Sequence, residues 1–174
     1  MDLKKSIRNI PDFPKKGIQF KDVTSLLKDA KAFHYSIEQF AEKYKDKNIT
    51  AICGVESRGF IIGAALAFKM KLPFIPVRKK GKLPAETISV EYQLEYGTDT
   101  LEIHKDALNE SDSVIIIDDL MATGGTMFAA AELVEKLGAK ISEISVIVDL
   151  PDLGGSKKIK EKYNFLSLVD YEGH

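Results

Sequence analysis

The chain has 174 residues, with 25 Lys and Arg against 26 Asp and Glu and a formal net charge of -1. That balance argues against bulk, sequence-independent nucleic-acid binding, and the longest apolar stretch, 60–68, is about half of what a bilayer crossing needs. A hydrophobic fraction of 44% with 29% charged residues predicts one globular domain spanning 1–174, able to bury a core without a disulfide or metal staple.

Residues 1–28 read as short irregular pieces, because Pro11, Pro14 and Gly17 interrupt any helix. Over 29–46, Phe33, Ile37, Phe40 and Tyr44 recur at spacings of four, three and four, which is one face of an amphipathic helix. Ile49 to Val55 predicts a buried strand. A Gly/Ser turn and the apolar run 60–68, a buried helix, follow. Pro73 to Val77 is a strand candidate, and the charged stretch 79–87, with Gly81 and Pro84, is a loop. Thr87 to Ile103 predicts an antiparallel hairpin around Gly97.

Val114 to Ile117 predicts a further buried strand, and Gly125 to Leu137 a helix stopped by Gly138. Ile141 to Val148 and Phe165 to Val169 complete the strands. Strands alternate with helices over 29–78 and 113–169. That order implies an α/β fold, a central mostly parallel sheet flanked by helices with right-handed crossovers. Ligands in such sheets sit at the carboxyl ends of the strands. The single cysteine, Cys53, cannot form an internal disulfide, and the first ten residues contain no apolar signal segment. Both predict a cytoplasmic protein.

Chemistry concentrates in Ser113 to Thr126. An apolar strand ends at two adjacent carboxylates, Asp118 and Asp119, and the small-residue loop Ala122–Thr123–Gly124–Gly125–Thr126 then opens a helix. Such a loop converges backbone N–H groups on a phosphate, helped by the helix N-terminus and the Thr hydroxyls. Paired carboxylates beside it suit a metal or vicinal sugar hydroxyls. Asx turns and helix capping account for each part separately, but their combination at a strand-to-helix junction points to a phosphorylated sugar. Neither GxxxxGK[ST] nor GxGxxG occurs here, which disfavours a nucleoside triphosphatase or a dinucleotide dehydrogenase. The three histidines show no metal-ligand spacing, and Cys53 reads as a core residue.

The 113–126 segment resembles the phosphoribosyl-pyrophosphate (PRPP) motif of type I phosphoribosyltransferases. Three more segments resemble the adenine-specific branch of that family, in order along nearly the whole chain. Pro11–Asp12–Phe13–Pro14 with Gly17, Phe20, Lys21 and Asp22 is similar to its base-recognition region. Gly54–Val55–Glu56–Ser57–Arg58–Gly59–Phe60 is similar to its pyrophosphate loop. Arg78–Lys79–Lys80–Gly81–Lys82–Leu83–Pro84, followed by Leu94–Glu95–Tyr96–Gly97, is similar to its flexible catalytic loop. The resemblance implies a small N-terminal base-binding hood over 1–28 and a mobile hairpin loop on the α/β core.

It further implies purine salvage, in which the 5-phosphoribosyl group of PRPP passes to adenine, giving AMP and pyrophosphate. Ala122, Thr123, Gly124, Gly125 and Thr126 would hold the 5'-phosphate, and Asp118 and Asp119 the ribose hydroxyls. Ser57, Arg58, Arg78, Lys79 and Lys82 would bind pyrophosphate. Gln19, Phe20 and Lys21 would bind adenine, and Glu95 would act as general acid/base at the base's N7. The family commonly has Arg where Lys21 stands; Lys lacks the guanidinium fork, so a side-chain contact is open while a backbone contact remains available. Mg2+ is expected on substrate oxygens, reaching the protein mainly through water and not through direct protein ligands. The family also implies a homodimer, no nucleic-acid or membrane partner, and a cis Glu56–Ser57 bond. Two other functions compete. Transfer to a different purine is disfavoured by the N-terminal segment, and a non-catalytic PRPP-sensing regulator by the lack of an added helix-turn-helix.

Overall fold

The computed structural model describes residues 1–94 and 97–173. Among them a two-stranded antiparallel ribbon pairs β1 (Arg8–Pro11) with β2 (Gln19–Asp22). A seven-stranded sheet runs in the order β5-β6-β4-β3-β7-β8-β9. Its strands are β3 (Ala51–Val55), β4 (Phe74–Lys79), β5 (Thr87–Gln93), β6 (Thr98–His104), β7 (Ser113–Met121), β8 (Lys140–Asp149) and β9 (Phe165–Asp170). From β4 through β3, β7 and β8 to β9 the pairings are parallel, while β5, β6 and β4 are antiparallel. The helices are α1 (Thr24–Lys28), α2 (Ala30–Tyr44), α3 (Arg58–Met70), α4 (Gly125–Lys136) and α5 (Gly155–Lys160). The mostly parallel α/β architecture is therefore the one expected.

Central strands are continuous apolar runs because both faces of the sheet are covered. Alternate side chains of β3 and β7 enter opposite cores. Cys53, Val114 and Ile116 join α4 and the β5–β6 hairpin in one, while Ile52, Ile115 and Ile117 join α2 and α3 in the other. A fully buried Ile such as Ile115 or Ile116 contributes roughly 1.5–3 kcal/mol of hydrophobic stabilisation. On α2 the expected stripe is inward, with Ile37, Phe40 and Tyr44 buried. Asp29 starts that helix by accepting from Lys31 N at 3.0 Å and Ala32 N at 3.2 Å.

Three expectations need correction. Residues 1–28 are not irregular: a 3-10 turn at Leu3–Ser6 precedes β1, β2 and α1. Pro14 and Gly17 fall in the turn between the two strands, and four-residue strands are too short to show a period-two pattern. The helix carrying 60–68 is not buried all round, since Ile61 is 46% and Phe68 88% exposed. Finally, the strand does not end before Asp118. Pairing with β8 carries β7 on to Met121, so both acidic residues lie within its final stretch, Asp118 opposite Val146.

Asp22 ties the ribbon to α1. Its carboxylate accepts from Arg8 Nε at 3.2 Å, Thr24 N at 3.0 Å and the Thr24 hydroxyl. The Thr24 hydroxyl, then Arg8, hold its carboxyl below the ordinary Asp range. A lowered carboxyl pKa stabilises the fold above the unfolded value, and that gain disappears as pH falls through the folded value. Asp22→Ala should cost about 1–2 kcal/mol at neutral pH. The gap from wild type should close below the usual carboxylate range, as urea unfolding at the two pH values would show.

Candidate active site

Two adjoining cavities open at the carboxyl ends of β3, β4 and β7. The larger, about 300 Å3, is lined by Glu56, Ser57, Arg58, Lys79, Tyr92, Leu94, Asp99, Leu101, Asp118, Asp119 and Thr126. The smaller, about 110 Å3, is lined by Asp118, the loop Ala122 to Thr126, and neighbours Leu120, Met121 and Met127. Asp118 and Thr126 belong to both walls. Of the residues expected at the site, Ser57, Arg58, Lys79, Asp118, Asp119 and 122–126 are thus brought together from three separate segments.

Close backbone approach makes this assembly possible. The bend between β3 and α3 contains the Glu56–Ser57 bond, which is cis as expected. A Cβ on Gly59 would sit 2.8 Å from the Ile117 carbonyl oxygen and 2.9 Å from Asp118 Oδ1, so only glycine lets the first turn of α3 lie against the acidic pair. Gly124, at φ +90°, opens α4 in a left-handed conformation. The N-termini of α3 and α4, marked by Ser57, Arg58 and Thr126, therefore face the same space, an arrangement that favours anions.

The smaller cavity has a support that sequence reasoning missed. Gly155 N donates to the Ala122 carbonyl at 3.1 Å, pressing the start of α5 against the loop from outside. The Gly154–Gly155 pair was the available signal, but nothing in the sequence says which loop it touches.

Several charged groups of the larger cavity have ion-pair partners. Arg58 Nε donates to Asp119 Oδ2. Arg78 makes a two-pronged contact with Glu56, Nη2 to Oε1 at 3.0 Å and Nε to Oε2 at 3.2 Å, which holds the Glu56 carboxyl below its ordinary range. Burial and then the neighbouring Asp119 charge push the Asp118 carboxyl well above the usual Asp value. Arg78 and Lys82 do not line either cavity; the Lys82 carbonyl accepts from Arg78 Nη1 at 3.4 Å.

The N-terminal ribbon divides its residues by face. Phe20 and Asp22 share one side, with the Phe20 ring edge-on to Phe13 at 5.1 Å and Asp22 bearing electrostatically on Arg58. Gln19 and Lys21 point the other way. Asn9 bridges them, donating to Gln19 Oε1 at 2.7 Å and accepting from Lys21 Nζ at 3.0 Å. Lys21 Nζ also lies 4.4 Å from the Tyr171 ring centroid. The Lys21 side chain is thus turned away from Phe20. Glu95 lies outside the described residues.

Among the described residues no group of three or more His, Cys, Asp and Glu converges as a cage for a metal ion. The adjacent carboxylates on the larger cavity's wall are Asp118 and Asp119, and the second is tied to Arg58.

Comparison with known proteins bears on the whole chain. Residues 23–172 match the phosphoribosyl transferase domain family. The adenine phosphoribosyltransferase of Thermoanaerobacter pseudethanolicus is 54% identical over 170 residues, 98% of each chain. Its crystal structure superposes with a TM-score of 0.93, again over 98% of each chain. The Saccharomyces cerevisiae adenine phosphoribosyltransferase, solved with D-2,5-dideoxy-2,5-imino-altritol 1,6-bisphosphate and adenine, is 38% identical, with a TM-score of 0.91 and 97% of each chain covered.

Proposed function

The chain belongs to the phosphoribosyl transferase family, and from that membership we propose that it serves purine salvage, transferring the 5-phosphoribosyl group of PRPP to adenine to give AMP and pyrophosphate. One observation carries this reading: a phosphate-sized hollow and a larger cavity meet at Asp118 and Thr126, where helix N-termini, cations and an acidic pair converge.

Residues 122–126 take the 5'-phosphate through backbone N–H groups and the Thr hydroxyls. Ser57, Arg58 and Lys79 take the pyrophosphate, with Arg78 joining from β4 and Lys82 from the loop that follows it. Asp118 and Asp119 hold the 2'- and 3'-hydroxyls and stabilise positive charge as the C1'–oxygen bond to pyrophosphate breaks. Adenine N9 supplies the electron pair that forms the new bond to C1', while Glu95 manages the proton at N7. Residues 1–28 form the hood, with Phe20 stacking on the base and the β2 backbone reading its edge. Gln19 and Lys21 contribute through that backbone, since their side chains face Asn9.

Asp118 and Asp119 fit a hydrated Mg2+ held mainly by substrate oxygens: they would hold it through water, and it would supply charge neutralisation at the leaving group. The protein works as a cytoplasmic homodimer. Exposed Ile61 and Phe68 on α3 support self-association, and a buried, unpaired Cys53 supports a reducing compartment.

Base choice is the direct test. A site that hydrogen-bonds an exocyclic amine leaves groups unpaired when a carbonyl replaces it. Incubation with PRPP, Mg2+ and each purine base separately should yield AMP from adenine and no nucleotide from hypoxanthine, guanine or xanthine. Comparable use of a 6-oxopurine would overturn the assignment of the hood.

A further inference from the structure

The larger cavity presents a puzzle of charge. Its walls carry four carboxylates, Glu56, Asp99, Asp118 and Asp119, against two cations, Arg58 and Lys79. An acidic cavity is a poor first choice for a polyanion. Three of the four acids have other work: two face the ribose, and Glu56 is held by Arg78. Asp99 has no such use.

Its geometry links it to Lys79. Lys79 ends β4 opposite Leu101 of the antiparallel β6, and Asp99, two residues earlier on β6, projects from the same face. The Lys79 ammonium lies 2.8 Å from Asp99 Oδ2. Tyr92 stands opposite Asp99 on β5 and lines the same wall. The Lys79 backbone is fixed separately, its N–H donating to Glu56 Oε2 at 3.0 Å. The ammonium can therefore leave Asp99 on its flexible stem without moving the strand. Both partners retain solvent access, Lys79 at 56% and Asp99 at 24%, so the pair is weak and exchangeable. The Lys79 hydrogen bond keeps the Asp99 carboxyl ionised, below its ordinary range.

We propose that Asp99 is a positioning residue that holds Lys79 at the cavity wall before substrate binds and competes with pyrophosphate for its ammonium group, limiting PRPP affinity and aiding pyrophosphate departure. This rests on the function proposed above. In the resting protein Asp99 takes the place of a pyrophosphate oxygen. When PRPP enters, Lys79 changes partner, and when the product leaves, Asp99 takes Lys79 back.

Asp99→Asn tests it, since Asn keeps the shape and still accepts the Thr100 N–H that Asp99 Oδ1 receives at 2.8 Å. Calorimetry of PRPP with Mg2+ and no adenine, on the full chain, should show binding roughly 3- to 10-fold tighter than wild type. KM for PRPP and the inhibition constant of pyrophosphate should fall by a similar factor, with kcat no higher than wild type. In a Lys79→Met background the gain should vanish. PRPP binding that is unchanged or weaker overturns the proposal, because a purely structural tie would give weaker binding and a lower melting temperature. A full gain that persists without Lys79 overturns it as well. If wild type binds PRPP but makes no AMP, the function fails while the calorimetry still decides the role of Asp99.

Discussion

Replacement of Asp118 and Asp119 together by Asn is expected to lower turnover by about 10²- to 10³-fold, the loss typical of removing a preorganised electrostatic group. Both side chains sit on the cavity walls, and the proposed mechanism develops positive charge at C1' beside them. Asn keeps their volume, and its amide oxygen can still accept the Asp119 N–H bond that Asp118 Oδ1 receives at 2.8 Å. Fold stability should change little, because two effects oppose each other. The Asp118 carboxyl is raised by burial and by Asp119. A carboxyl raised in the folded state loses stability as pH rises through the folded value, so its charge works against the fold at neutral pH, and Asn removes that cost. In exchange, Arg58 loses the charge of Asp119. Steady-state kinetics at saturating adenine and PRPP, with a melting curve alongside, would check both halves. Near wild-type turnover would detach the pair from the ribose.

The second large effect is expected at a residue that lines neither cavity. A Cβ on Gly155 would stand 2.3 Å from the Ala122 carbonyl oxygen, 2.7 Å from Gly124 N and 2.7 Å from the Thr123 carbonyl carbon. All three are backbone atoms, so no side-chain rotation relieves the clash, and the 122–124 loop must move. A displacement near 1 Å in a site that positions a phosphate costs on the order of 10² in kcat/KM for PRPP. Overpacking adds about 1–3 kcal/mol of destabilisation. Gly154→Ala separates the two costs. Gly154 has φ +79° and nothing within 4 Å of its Cβ position, so that variant should lose stability while keeping its PRPP kinetics. Unchanged PRPP kinetics in Gly155→Ala would mean that the loop does not hold the phosphate.

Those two cases mark where the sequence is legible and where it is not. Asp118 and Asp119 announce themselves because strand, acids and small-residue loop are contiguous. The central strands do too, since a segment buried on both faces must be apolar throughout. Gly155 gives no such sign: its role depends on two loops about 30 residues apart coming into contact. The pairings Arg58–Asp119, Arg78–Glu56 and Lys79–Asp99 are equally silent, because a charge in a sequence does not name its partner. The β1–β2 ribbon was hidden by its shortness, and the extension of β7 to Met121 by its dependence on β8. Lys21 was legible as a type but not as a direction; only the strand register shows it facing Asn9.

The strand order also constrains how the molecule is made. β3 lies between β4 and β7, and its five residues are buried on both faces. β4 follows it closely along the chain, but β7 comes only after the whole β5–β6 hairpin. A nascent chain that has reached residue 112 can assemble β5, β6, β4 and β3, yet it leaves an apolar strand edge bare, the kind of edge that recruits neighbouring chains. The segment that covers this edge, 113–126, also brings the acidic pair and the phosphate loop. During synthesis, hiding the adhesive edge therefore precedes completion of the site, since the end of β7 pairs with β8 and the 122–126 loop rests on Gly155. A ribosome stalled before that point carries a fragment that is both prone to aggregate and unable to be rescued by its own ligand.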